Sequence, residues 1–154
     1  MEIKIVNKDE FFKNQDFFHK NLGFVFNFKP KHKKMFDGVF NGFSNFFNQQ
    51  DECFIVMACD KDKIYSLVTF ERYENFWLID SMSTRKEFQQ QGLATNILKY
   101  GMNYFKGDFC LHVNKDNLPA FNLYKKLGFS IDKKHPYQFE QSFFMTKLHK
   151  ELEK

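Results

Sequence analysis

Phe88-Gln89-Gln90-Gln91-Gly92-Leu93-Ala94-Thr95-Asn96-Ile97-Leu98 sets a small-residue turn between a strand-like run and an amphipathic helix. That order makes an anion site from backbone alone. Gly92 and Ala94 let the main chain approach a ligand closely, and the unpaired N–H groups of the helix's first turn, at the positive end of its dipole, point at a group such as phosphate.

Working outward, residues 52–59, 63–72 and 75–84 read as three strands. Their polar tips, Asp60-Lys61-Asp62 and Tyr73-Glu74-Asn75, are short enough for antiparallel hairpins. Beyond the turn the pattern predicts a helix over 92–105, a strand over 109–114, a helix over 117–127, and strands near 128–133 and 140–148. The crossover from 76–84 through 92–105 to 109–114 makes those two strands parallel. Toward the N-terminus, residues 2–6 alternate as a strand, and Asn7 or Asp9 caps a helix over 8–22 with Phe11, Phe12, Phe17, Phe18 and Leu22 on one stripe, ended by Gly23. A second helix over 31–49 aligns Met35, Phe36, Val39, Phe40, Phe43, Phe46 and Phe47, while Gly38 and Gly42 weaken it and leave room for a break. Both aromatic stripes read as core.

A second cassette follows: Asn117-Leu118-Pro119-Ala120-Phe121-Asn122-Leu123-Tyr124-Lys125-Lys126-Leu127-Gly128-Phe129. In this order and spacing the two segments resemble the acetyl-CoA signatures of the GNAT superfamily of N-acetyltransferases, a Gln/Arg-x-x-Gly-x-Gly/Ala turn and then Asn-x-x-Ala-x-x-x-Tyr-x-x-x-Gly-Phe. Residues 76–129 carry the resemblance closely; the N-terminal half follows it in element order. The resemblance implies a mixed α/β (α+β) fold, a mostly antiparallel sheet of about seven strands flanked by about four helices. Its central parallel strand pair is splayed to slot the cofactor's pantetheine. The implied activity is transfer of the acetyl group of acetyl-CoA to a primary amine, on a small molecule, peptide or protein, by direct attack in a ternary complex.

At 154 residues the chain is expected to form a single N-acetyltransferase domain over 1–154. Its 23 Phe residues supply most of the core, and their enrichment alongside Lys and Asn reflects an AT-rich coding sequence. The formal charge is +4, and the basic cluster is Lys29-Pro30-Lys31-His32-Lys33-Lys34, read first as solvated surface and second as a contact for RNA or the CoA 3′-phosphate. Nucleic acid is disfavoured as a partner, since no aromatic–basic platform stands out. Cys53, Cys59 and Cys110 are odd in number and lack Cys-x-x-Cys or His-x-Cys spacing, so they are expected to pack as small apolar residues, with no disulfide framework and no metal. The N-terminus lacks a signal-peptide core, and no apolar run approaches a membrane span. A soluble, reducing compartment is expected: the cytoplasm, or that of the host cell for a viral source. The chain is expected to be a monomer or homodimer.

The resemblance assigns roles residue by residue. Gln89, Gln90, Gln91, Gly92, Leu93, Ala94 and Thr95 would hold the pyrophosphate through backbone N–H groups; Gln89 in place of Arg removes a permanent charge but leaves the amide cradle. The backbone groups of Met82, Ser83 and Thr84 would pair with pantetheine and the acetyl carbonyl as though the cofactor were another strand. Tyr124 would touch the cofactor as general acid toward the departing thiolate, or else pack a helix face. Asn117 caps the same helix and would also contact the cofactor, and Pro119 is tolerated in the first helical turn.

For the base, Asp80 is placed on one face with Leu78 and Met82 and is the best carboxylate for taking the ammonium proton, directly or through water. It reads equally well as a structural Asp. Glu71 and His112 are lesser candidates, and His135, before Pro136, either borders the acceptor pocket or is ordinary surface. Two other functions fit parts of the pattern. A catalytically idle acyl-CoA-binding or regulatory module would keep the turn 89–95 without needing Tyr124 or a base, and an acetyltransferase acting on an RNA-linked amine would use the basic run.

Overall fold

Cys53–Cys59 (β2) and Ile64–Arg72 (β3) are buried on both faces, which fits them for the interior of a sheet. In the computed structural model, which describes residues 1–49, 51–134 and 141–149, they lie inside a seven-stranded sheet with Glu2–Val6 (β1), Trp77–Thr84 (β4), Phe109–Asn114 (β5), Ser130–Ile131 (β6) and Ser142–Lys147 (β7). The order is β1-β2-β3-β4-β5-β7-β6. As the crossover requires, β4 and β5 are parallel, and the other pairings are antiparallel.

Period-two alternation divides the core between the two faces of the sheet. On one side Ile55, Met57 and Leu67 pack with Phe11, Phe18, Leu22, Phe43 and Phe47 from Lys8–Lys13 (α1), Gln15–Val25 (α2) and Lys33–Gln49 (α3). On the other Val56, Val68, Phe70 and Ile79 pack with Ile97, Leu98, Met102 and Tyr124 from Leu93–Phe105 (α4) and Leu118–Lys126 (α5). The aromatic stripes are core. The three cysteines are buried, and none forms a disulfide. Among the described residues no helix is long and apolar enough to cross a membrane.

The N-terminal helices depart from the expected bounds for local reasons. The stretch expected as one helix over 8–22 breaks at Asn14, whose side-chain amide donates to the Glu10 carbonyl at 2.7 Å and competes with the helical ladder. The resulting α2 runs through Gly23 to Val25. It closes with Asn27 in the left-handed region, φ 66°, Asn27 N–H donating to Phe24 O and Phe28 N–H to Gly23 O. Gly23 instead provides clearance, since a Cβ there would overlap the Phe36 ring. Gly38 and Gly42 do not break α3.

One irregularity positions the site. Val68 stands opposite Met82 but Phe70 opposite Ile79, so β4 carries one residue more than β3 between these pairs. This is a β-bulge at Asp80–Ser81. The buried Thr69 hydroxyl holds it, accepting the Ser81 N–H at 2.9 Å. Asp80 and Met82, expected on one face, therefore lie on opposite faces: Met82 packs with the α4–α5 cluster, while Asp80 and Ser81 face α3. Parallel pairing between β4 and β5 ends at Ile79 and Leu111, just where the bulge begins.

Candidate active site

Three segments converge where β4 and β5 part, around a groove of about 570 Å³. Met82, Ser83 and Thr84 come from the end of β4. Gln89, Gln90, Gly92, Leu93, Ala94 and Thr95 come from the turn into α4, and Asn117, Pro119, Ala120 and Leu123 from the start of α5. Of the residues expected at the cofactor, Gln91 and Tyr124 are not among those lining the groove; the Gln91 side-chain amide turns back to the Glu87 carbonyl at 3.4 Å.

The strand end is sorted by alternation. Ser81 N–H donates to Thr69 Oγ1 and Arg85 N–H to Tyr65 O, both on the β3 side, and Ser83, midway between them, is oriented likewise. The amides of Met82 and Thr84 consequently face the gap. The Ser83 hydroxyl serves structure instead, donating to the Val25 carbonyl at 2.9 Å.

The turn is shaped for an anion. Gln90 (φ 62°) and Gly92 (φ 80°) are both left-handed, and Gly92 caps α4 with no side-chain hydrogen bond. The first helical bond runs from Asn96 N–H to Gly92 O at 3.0 Å. The preceding N–H groups, on Leu93, Ala94 and Thr95, thus point out of the helix toward the groove they line. Gln89, where an arginine would add charge, fastens the turn: its side-chain amide donates to Thr84 O at 3.1 Å. Asn27 does the same from the other side, donating to Thr84 O at 3.1 Å and accepting Lys86 N–H at 2.8 Å. Sequence reasoning missed Asn27. An Asn just past a helix end, where the left-handed conformation is favoured, was the available signal.

Tyr124 sits behind the groove, 7% exposed, with its hydroxyl 4.0 Å from Met82 Sδ. Burial pushes the phenol up to about 12, so it keeps its proton across the neutral range. The Gly-Phe that ends the second cassette secures it. Gly128, at φ 100°, donates its N–H to Lys125 O, Phe129 N–H donates to Tyr124 O at 3.0 Å, and the Phe129 and Tyr124 rings lie 6.0 Å apart. At the other end of α5, Asn117 Oδ1 accepts Ala120 N–H at 3.2 Å, and Pro119 occupies the first turn, where its missing N–H leaves no helical bond unmade.

Asp80 and Ser81 open onto a second cavity of about 320 Å³, walled by Phe26, Val39, Gly42, Phe43 and Phe46 with Thr69 on the sheet side. Glu71 lies on the neighbouring strand at 6% exposure; burial raises its carboxyl above the usual range, the Tyr73 hydroxyl at 2.9 Å works against that, and the Asp80 charge adds to it. His112 is on β5 with its ring 5.0 Å from that of Phe144, and it lines neither cavity. His135 lies outside the described residues. The basic run 29–34 is exposed and lines neither cavity.

Comparison with known proteins agrees with this geometry. Residues 25–129 match the model of the Acetyltransferase (GNAT) family. Among solved structures, aminoglycoside 6′-acetyltransferase type Ii superimposes with a TM-score of 0.70 at 15% identity, covering 96% of this chain and 97% of that one. The PaiA N-acetyltransferase from Thermoplasma acidophilum, solved with coenzyme A, gives 0.66 at 12% identity over 97% and 100%. The Campylobacter jejuni N-acetyltransferase PseH, solved with acetyl coenzyme A, gives 0.66 at 17% identity over 96% and 99%. At these identities the superpositions show a shared fold and no more. No curated protein matches the sequence. With the family model spanning the groove, the bulged strand and the Tyr124 helix, the chain belongs to the GNAT acetyltransferase family.

Proposed function

We propose that this chain is a single-domain N-acetyltransferase that moves the acetyl group of acetyl-CoA to a primary amine by direct attack. The observation that carries the reading is the conjunction, in one groove, of a strand edge with outward amides and a helix N-terminus without a side-chain cap, with a buried, protonated tyrosine directly behind Met82 of that groove.

Acetyl-CoA supplies an activated thioester carbonyl. The residues fit it: the Leu93, Ala94 and Thr95 amides suit a pyrophosphate, and the Met82 and Thr84 main chain suits an amide-bearing arm running where a further strand would lie. A Met82 or Thr84 amide aimed at the carbonyl oxygen would stabilise developing negative charge. The ammonium first gives one proton to Asp80 or water, freeing the lone pair; as the N–C bond then forms and the C–S bond breaks, the thiolate takes a proton from Tyr124, and the second N–H proton, released as the amide forms, restores the phenol through water. No enzyme nucleophile is required, consistent with the burial of all three cysteines. An idle binding module would have no use for the buried phenol beside the groove.

The test is release of CoA thiol when the protein is mixed with acetyl-CoA and a panel of amines. Amine-dependent release, with the acetylated amine seen by mass spectrometry, is expected; binding of acetyl-CoA with no acetylated product from any amine would assign the idle module instead.

A further inference from the structure

The second cavity has a chemistry of its own. Its walls from α2 and α3 are apolar, three of them phenyl rings, and its polar atoms are gathered at the sheet end on Thr69, Asp80 and Ser81. Thr69 is already committed to the bulge amide. That leaves the Asp80 carboxylate as the charge at the mouth, with the buried Glu71 on the adjacent strand, and no lysine, arginine or histidine among the lining residues.

We infer that the acceptor is a singly charged primary amine on an apolar body, such as an arylalkylamine, with its ammonium on Asp80 and its hydrocarbon part against Phe26, Phe43 and Phe46. This assignment rests on the acetyltransferase reading and names the substrate class it leaves open. Three physical arguments support it. A cation entering this cavity finds its counter-charge at one end only, so a polyamine would leave its second ammonium facing phenyl rings with no carboxylate. A free amino acid would bring a carboxylate with no cationic partner, beside one carboxylate already present. The volume, about 320 Å³, stands at the small end of ligand cavities and suits a body of one ring and a short linker.

Placement favours the same assignment. Because of the bulge, Ser81 faces the cavity and its neighbour Met82 faces the cofactor groove, at the point where β4 and β5 part. An amine held at Asp80 is therefore two residues from Met82, the start of the strand edge proposed to carry the thioester. The ammonium would give one proton to Asp80 or water, its freed lone pair would bond to the acetyl carbon as the C–S bond breaks, and the second N–H proton lost on forming the amide would balance the one the departing thiolate takes from Tyr124.

Gly42 gives a direct handle. It lies on α3, lines the cavity, and a Cβ built there meets nothing within 4 Å, so Gly42→Leu puts an isobutyl group into the space while favouring helix. Gly38, one turn earlier, is equally open but does not line the cavity, so Gly38→Leu is the matched control. The experiment measures kcat/KM of the full chain for 2-phenylethylamine, spermidine and lysine, together with calorimetric binding of 2-phenylethylamine in the presence of CoA. The expected result is a preference for 2-phenylethylamine of about tenfold or more, lost through KM in Gly42→Leu and kept in Gly38→Leu, with acetyl-CoA affinity unchanged in both. Preference for spermidine or lysine, or a Gly42→Leu protein that binds 2-phenylethylamine as well as wild type, overturns the assignment while leaving acetyl-CoA binding intact. Failure of acetyl-CoA to bind would sink the acetyltransferase reading, and the calorimetric arm would still decide the amine site. If Gly42→Leu does not fold, the wild-type order among the three amines decides.

Discussion

Tyr124 and Asp80 differ in how far each is removed from water, and their proposed roles follow from that difference. Tyr124 is buried and keeps its proton, so at neutral pH its hydroxyl can give a proton but not act as a base. Tyr124→Phe removes that oxygen and little else. Acetyl-CoA affinity should stay within a few fold while turnover falls about ten- to a thousandfold, as checked by calorimetry alongside steady-state rates. Equal loss of both would mark a packing residue. Asp80 is exposed at the mouth of the apolar cavity, where it can meet an ammonium. An alkylammonium with a pKa of about 10 is almost wholly protonated at pH 7, so loss of its proton acceptor should cost most at low pH. The pH–rate profile of Asp80→Asn is expected to lose activity at about pH 6–7 and recover toward the amine's own pKa, with acetyl-CoA binding kept. A uniform fall at every pH would make Asp80 structural and turn attention to Glu71, which lies close enough for their charges to interact.

At the scale of elements, the site depends on how α4 begins and how α5 ends. Gly92 is left-handed at the N-terminus of α4, and a Cβ there would meet no protein atom within 4 Å. Gly92→Asp therefore acts in two ways: it strains a backbone that L side chains avoid and places a negative charge beside the amides proposed for pyrophosphate. Wild-type affinity for acetyl-CoA is expected between low-micromolar and sub-millimolar, about 4 to 8 kcal/mol, and calorimetry on Gly92→Asp should find none, with far-UV circular dichroism unchanged. Undiminished binding would remove the phosphate site from α4. The element pattern was largely legible beforehand because helix and strand periods are local properties. The break at Asn14 was not, because it depends on a side-chain hydrogen bond competing with the ladder. Nor was the true end of α2, since Gly23 is small to clear Phe36 on another helix and not to stop its own.

At the scale of the whole molecule, burial of ionisable groups sets the response to alkali. Burial lifts Cys110 and Tyr124 to about 12 and Cys53 to about 11, against ordinary values of 9.0 for the thiols and 10.0 for the phenol. Between these limits the unfolded chain binds fewer protons than the folded one, so stability falls as pH rises. It is fully present below about pH 9 and lost progressively toward pH 12, a tenfold difference in proton affinity being about 1.4 kcal/mol. Thermal melts should show a steady decline in Tm above about pH 9, shallower above pH 10 in Tyr124→Phe; a flat Tm to pH 11 would contradict it. The glycine turn before α4, the capped helix of α5 and the crossover that makes β4 and β5 parallel were all readable from sequence, because a turn, a helix cap and the order of strand and helix periods are properties of local sequence. The bulge was beyond that reach. Whether Asp80 shares a face with Met82 depends on how β4 registers against β3, and that register is held by the Thr69 hydroxyl on the other strand. The apolar cavity likewise exists only because α3 lies across that bulge, bringing Gly42 and its phenylalanine neighbours over a carboxylate far from them in the chain. Local chemistry fixes what each segment is; which surfaces end up facing one another is decided by long-range packing.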